Sequence, residues 1–239
     1  MLPVAAFELS IYSNWIDEPD GVAEDLAGLD MAFETAHAEK AIGARLSEGD
    51  RGGAERLEAN ARLAAGLGAR LLVLHLWELP TGDRHLERNL ELLPACADAA
   101  EAHGLTLAVE TIPCSLGSPL TNVARAVEHE PRCVAVLDTE FLALHGELES
   151  ALDAGLPVGH VHLKDFAGAI VRGDPRRRYL LPGEGDLDLD GFLNRLREQG
   201  YNGAVTLEAS AVDAEGELDH TRLAEIAEAL TRLKEGLAK

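Results

Sequence analysis

Four ionisable residues each close an apolar run of the chain: Glu110, Asp138, His162 and Glu208, separated by 28, 24 and 46 residues. Three carboxylates gathered in one low-dielectric space repel one another and call for a cation. With a single imidazole they form a largely oxygen-donor set suited to Mn²⁺ or Mg²⁺, and Co²⁺ or Zn²⁺ is also compatible. Such an ion polarises a ketone or aldehyde and makes the neighbouring C–H acidic enough for a carboxylate to remove the proton, leaving an enediolate. Glu110 and Glu208 are the candidate catalytic pair, one taking the proton and the other returning it. Use of one substrate face gives isomerisation, and use of two gives epimerisation.

These residues need elements to carry them. Seven apolar runs read as buried strands: Val4 to Ile11, Met31 to His37, Arg70 to Trp77, Leu105 to Thr111, Cys133 to Thr139, Pro157 to Leu163 and Ala204 to Glu208. Six of them close on an ionisable group: His37, His75, Glu110, Asp138, His162 with His160, and Glu208. Alternation places small residues beside these groups, such as Ala108 and Thr106 on the face of Glu110, as a tapering barrel interior requires. Segments of helical spacing lie between the runs, for instance Leu86, Leu90, Leu93 and Ala97. Glycines at Gly68, Gly104, Gly155 and Gly203 mark the returns from helix to strand. Pro94 reads as a kink or break.

Regular βα alternation implies a parallel sheet with helices outside it. No GxGxxG or P-loop sequence follows the first strand, which favours a closed (β/α) TIM barrel over an open doubly wound sheet. A complete barrel has eight units in about 250 residues. Seven are readable in 239, so the expectation is one α/β barrel domain over residues 1–239, lacking the first unit.

Composition narrows the function. The chain is 46% hydrophobic and 26% charged, and no uncharged apolar run is long enough to span a bilayer. Nothing after Met1 reads as a secretory signal, so a cytoplasmic location is expected. Twenty-one basic against 42 acidic residues give a net charge of -21, which repels phosphate backbones and argues against nucleic acid as a partner. Cys96, Cys114 and Cys133 suit neither a disulfide framework nor a zinc ribbon.

Five segments in order carry a resemblance: Leu107-Ala108-Val109-Glu110, Val136-Leu137-Asp138-Thr139, His160-Val161-His162-Leu163-Lys164-Asp165, Pro182-Gly183-Glu184-Gly185-Asp186 and Gly203-Ala204-Val205-Thr206-Leu207-Glu208. From about residue 30 to 210 the chain resembles the xylose-isomerase-like TIM barrels, which comprise sugar isomerases and epimerases together with relatives of endonuclease IV. The resemblance implies a metal held by Glu110, Asp138, His162 and Glu208, a small sugar or sugar acid as substrate, and a homodimer as the candidate assembly. It implies a substrate-hydroxyl contact or catalytic helper at His75, beside the reading of a histidine simply seated at the barrel lip. It also favours His162 over the deeper His160 as ligand. In that family a histidine usually follows the strand aspartate by three positions, where this chain has Phe141.

Two further readings stand beside the isomerase. An endonuclease-like phosphodiester hydrolase would need a trinuclear zinc cluster, and the chain has Arg177 and Tyr179 where its extra ligands belong. A non-catalytic barrel that retains metal or sugar binding is the other, and Phe141 supports it.

The remaining candidates have paired readings. Trp77 stacks on a sugar ring or fills the core. His160, His162 and Lys164 share a strand face, with His160 either a substrate contact or a deeper structural residue and Lys164 either binding substrate oxygens or paired with a strand-end carboxylate. His37 reads as a strand cap, and the stretch Gly43 to Gly53 as a lid or a disordered loop. Arg172, Arg176, Arg177 and Arg178 read as a solvated loop or as a lid drawing in an anionic sugar. Asp165 is expected to orient or cap, and Glu184 to be a turn residue.

Overall fold

Every one of the seven apolar runs contains a strand; His37, Glu110, Asp138 and His162 lie within their strands, whereas His75 and Glu208 directly follow theirs. The computed structural model describes residues 2–78, 82–170, 174–213 and 215–237. The strands are β1 (Phe7–Ser10), β2 (Phe33–His37), β3 (Leu71–Leu74), β4 (Thr106–Glu110), β5 (Val134–Asp138), β6 (Val158–Leu163), β7 (Asp165–Ala167), β8 (Arg178–Leu180) and β9 (Val205–Leu207). The helices are α1 (Pro19–Ala27), α2 (Ala41–Glu48), α3 (Gly52–Gly66), α4 (Leu86–Glu101), α5 (Pro119–His129), α6 (Thr139–Leu144), α7 (Leu189–Glu198) and α8 (His220–Leu237).

β1 to β6 and β9 pair in parallel in the order β1-β2-β3-β4-β5-β6-β9. This is a nearly closed barrel short of one unit. The seam lies where β1 and β9 face each other without pairing, across a cavity of about 430 Å³ lined by Phe7, Leu207, Leu223, Ile226 and Leu230 among others. Period-2 alternation divides each strand as expected. Leu72, Leu74, Leu107, Val109 and Leu137 point outward into the helix layer, while Val73, Ala108 and Val136 form a separate small cluster inside the barrel. Each fully buried leucine contributes about 1.5–3 kcal/mol, so the outward face holds the layers together.

Several local expectations are corrected. The stretch from Gly43 to Gly53 is neither lid nor loop but α2 and the start of α3, divided at Gly49, whose φ of 78° is left-handed. Gly43 itself is a packing glycine: a Cβ there would lie 2.6 Å from the His75 carbonyl oxygen, so α2 can lie against the end of β3 only without a side chain. α4 runs through Pro94 without a break. Ahead of β9 the left-handed glycine is Gly200, with φ 88°, rather than Gly203, because α7 ends at Glu198 and the turn follows at once. Of the basic run, Arg176 is an exposed turn residue, as a solvated loop implies, whereas Arg177 is buried and Arg178 begins β8, which pairs with β7 as an antiparallel hairpin after β6. Met1 and Arg172 lie outside the described residues. No described helix is long and apolar enough to cross a membrane.

Candidate metal centre

Parallel register brings the strand ends to one level. Asp138 at the end of β5 is the register partner of His162 on β6, and Glu110 at the end of β4 is the partner of Val136. Glu208 follows β9 directly, and its amide donates to the Leu163 carbonyl, 3.1 Å. One donor atom from each of Glu110, Asp138, His162 and Glu208 lies within 4.8 Å of all the others. His162 Nδ1 sits between two carboxylates, 2.8 Å from Glu110 Oε1 and 2.9 Å from Glu208 Oε1. Glu110, Asp138 and His162 are buried, whereas the Glu208 side chain is 32% exposed, so the group opens to solvent on the Glu208 side.

Burial and neighbouring charges act strongly on each of these groups. Burial acts to lower the pKa of His162, but the charge of Glu110 and the surrounding carboxylates outweigh it and hold the imidazolium form well above the ordinary range. Burial acts to raise Glu110, yet the charges of His75 and His162 and their hydrogen bonds hold its carboxyl well below the usual value. Glu208 is held at about 2, its burial outweighed by the His162 bond and by the His162 and Lys164 charges. For Asp138 burial prevails and, with the like charges of Glu110 and Glu208, lifts it to about 7 against the pull of Lys164. Asp138 therefore bears both burial and the repulsion of Glu110 and Glu208, which Lys164 only partly offsets. The donor set fits a hard divalent ion, since one more positive charge among these oxygens would relieve it.

Lys164 supplies part of that charge, its Nζ 2.7 Å from both Asp138 Oδ2 and Glu208 Oε2. The ion-pair reading of this residue is the geometry observed, and Lys164 also lies 4.7 Å above the ring of buried Phe141. His37 and His75 approach the other oxygen of Glu110: Nε2 of His37 lies 3.2 Å and Nε2 of His75 2.6 Å from Oε2. His37 is therefore part of the cluster and not merely a strand cap. Burial pushes His75 below its ordinary value, against the pull of Glu110. Together His37, His75 and Glu110 form a second group of suitable ligands, wholly buried.

Two expected substrate contacts sit away from the open side. Trp77 is fully buried and its Nε1 donates to the Pro113 carbonyl, 3.0 Å, so no face of the indole is accessible. His160 is also fully buried, its Nε2 between Glu8 Oε2 at 2.9 Å and Thr206 Oγ1 at 3.0 Å. Asp165 caps the turn that follows: Oδ2 accepts from the amides of Gly183 and Gly185, both at 3.0 Å. Glu184 between them is a half-exposed turn residue.

Two residues, Glu8 and Glu140, escaped the sequence reading. Glu8 is the one charged residue of the first apolar run, which was the available signal; it lies inside the barrel, its carboxyl held well below the usual range by His160 and His162 despite burial. Glu140 and Arg177 form a buried pair, 2.9 Å, with Tyr179 OH donating to the same Glu140 oxygen at 2.8 Å. Arg177 lies over the Phe166 ring, 3.6 Å from its centroid. The hairpin is thereby clamped to the first turn of α6, next to Asp138, and Arg177 has no charge free to draw in a substrate.

A family profile described as xylose isomerase-like TIM barrel matches residues 7–236. A Streptomyces coelicolor protein provisionally named hydroxypyruvate isomerase is 30% identical over 231 residues, covering 84% of this chain and 79% of its own. Among solved structures, a D-allulose 3-epimerase from Methylomonas sp. superposes with a TM-score of 0.71 at 16% identity, over 98% of this chain and 88% of that one. A D-psicose 3-epimerase from Clostridium cellulolyticum gives 0.66 at 16% identity, over 96% and 89%. At such identities the superpositions establish the fold.

Proposed function

The chain belongs to the xylose isomerase-like TIM barrels, and from that premise we propose that it is a divalent-metal-dependent isomerase or epimerase of a small polyhydroxy ketone or aldehyde. The observation that carries the reading is the placement of Glu110 and Glu208 on two sides of His162 Nδ1, with Asp138 within the same 4.8 Å group. The names of the relatives, a hydroxypyruvate isomerase and two ketose 3-epimerases, support the same substrate class.

Glu110, Asp138, His162 and Glu208 would hold Mn²⁺ or Mg²⁺, which when bound polarises the substrate carbonyl. Glu208, at the open edge, is placed to meet the substrate first and to take a proton from the carbon next to that carbonyl. Glu110, buried beneath, would pass a proton to the other side of the substrate from His75, 2.6 Å from the Glu110 Oε2, while Glu208 releases the proton it took to solvent at the open edge. The product is reached through an enediolate, and no net proton is lost. Lys164, beside Glu208 at the open edge, is suited to bind substrate oxygens. His160 and Trp77 enter this reading as supports of the site rather than as substrate contacts.

Solvent-deuterium exchange over a panel of ketoses, aldoses and hydroxypyruvate, with and without Mn²⁺, tests the proposal. Metal-dependent incorporation of deuterium at one carbon is expected. Absence of exchange across the panel in protein that binds Mn²⁺ defeats it and leaves the non-catalytic barrel. The hydrolase reading has one observation in its favour, the adjoining group of His37, His75 and Glu110, since two-metal hydrolysis needs a second cation. The net charge and the engagement of Arg177 with Glu140 weigh against it. Cleavage of an abasic duplex in Zn²⁺ would reinstate it.

A further inference from the structure

Beneath the ligand cluster Glu8 joins strands that the sheet leaves apart. Its Oε2 accepts from Thr35 Oγ1 of β2 at 2.8 Å and lies 2.9 Å from His160 Nε2 of β6; its Oε1 lies 3.0 Å from His162 Nε2. His160 continues the chain of contacts to Thr206 of β9, so the network spans the seam between β1 and β9. The approach of Oε1 to His162 Nε2 is a charge contact at an oblique angle, and Nε2 has no directed hydrogen-bond partner.

A histidine can offer a cation only the nitrogen that carries no hydrogen, and the contact made by its other nitrogen decides which one that is. His162 turns Nδ1 toward Glu110 and Glu208 and Nε2 toward Glu8. On the Nε2 side His160 is fully buried and the Glu8 side chain, 7% exposed, borders the seam cavity, whereas the Nδ1 side opens at Glu208. Resting on the metal-site reading above, we propose that Glu8 is the positioning residue of the centre: when a cation takes the place of the Nδ1 hydrogen that bonds Glu110 Oε1 at 2.8 Å, the Glu8 charge 3.0 Å from Nε2 keeps the other ring hydrogen there. Glu8 does not touch the substrate. It acts through His162, and its second oxygen, anchored by Thr35 and His160, keeps the carboxylate from turning away.

The experiment is a calorimetric Mn²⁺ titration of the wild type, Glu8→Gln and Thr35→Val, joined to long-range ¹H–¹⁵N spectra of the histidine rings in the Zn²⁺-loaded wild type. Glu8→Gln is expected to weaken Mn²⁺ binding by about 10- to 100-fold, the usual effect of removing an outer carboxylate from a ligating histidine. Thr35→Val, which loosens the network without touching His162, is expected to stay within about threefold of the wild type by the same measure. In the spectra His162 should show a protonated Nε2 and a metal-bound Nδ1. A Glu8→Gln affinity equal to that of the wild type overturns the proposal, as does metal on Nε2, which the wild-type spectra reveal even if the variant does not fold. A wild type that binds no divalent metal at all removes the metal centre itself, and the role of Glu8 with it.

Discussion

Lys164 and Asp138 are ion-paired, Nζ to Oδ2 at 2.7 Å, while the other Asp138 oxygen accepts the Phe141 amide hydrogen at 2.9 Å as the cap of α6. Both Asp138 oxygens are therefore engaged, and a metal ion that needs Asp138 must compete with an ammonium group for Oδ2. Replacing Lys164 with methionine should tighten Mn²⁺ binding by roughly tenfold, through loss of a competing charge. The metal-free variant should lose about 3 kcal/mol of stability, because a buried carboxylate is left without its partner. Calorimetric titration and urea unfolding read the two effects, and weaker binding in the variant would show that Lys164 assists the metal instead.

Glu110→Gln and Glu208→Gln should each lower metal-dependent proton exchange by about 10²- to 10⁴-fold, the range for loss of a general acid or base. Glu208 is at the open edge and Glu110 is buried among three histidines, so the fold of Glu208→Gln should match the wild type by circular dichroism while Glu110→Gln unfolds at lower temperature. Full exchange in either variant removes that residue from the chemistry.

The charge cluster should leave a pH signature on the metal-free protein. Glu110 and Glu208 are held below their ordinary value of 4.5, so their contribution is present above that pH and is lost as pH falls, toward about 2 for Glu208. His162 is held above its ordinary 6.5, so its contribution is complete below that pH and is lost as pH rises through the raised value. Asp138, lifted to about 7, acts in the same alkaline direction. From these groups, thermal stability without metal should be greatest near pH 4.5 and decline on both sides, the alkaline decline coming first from Asp138 up to about pH 7 and then from His162. Saturating Mn²⁺ should abolish the alkaline decline, since the ion supplies the positive charge that protons provide at lower pH. A metal-free Tm that rises steadily from pH 6 to 9 would contradict this account of the cluster.

Arg177 and Glu140 have side chains only 2% and 1% exposed. Arg177→Met should destabilise the protein by about 3–5 kcal/mol in urea unfolding, as expected when one member of a buried ion pair is removed. Tyr179→Phe, which deletes one bond to the same carboxylate from a half-exposed side chain, should cost about 1 kcal/mol. Equal stability in both variants would mean that the hairpin is not held by this clamp.

What could be read from the chain alone was whatever depends on near neighbours. The seven strands, the outward leucines and the inward small residues follow from a period of two, and the helices between them from a period near four. The strand-end positions of Glu110, Asp138, His162 and Glu208 followed from the same periodicity, because every parallel strand of a barrel delivers its last residue to one mouth. Tertiary structure decided the rest: that His37 reaches Glu110, that Trp77 faces Pro113 and not the mouth, that Lys164 takes an oxygen of Asp138, that Arg177 is spent on Glu140, and that Glu8 lies under His162. Each of these is a contact between residues tens of positions apart or more, set by strand register and barrel curvature. A buried charge takes the nearest partner in space, and no local pattern in the chain records which partner that is.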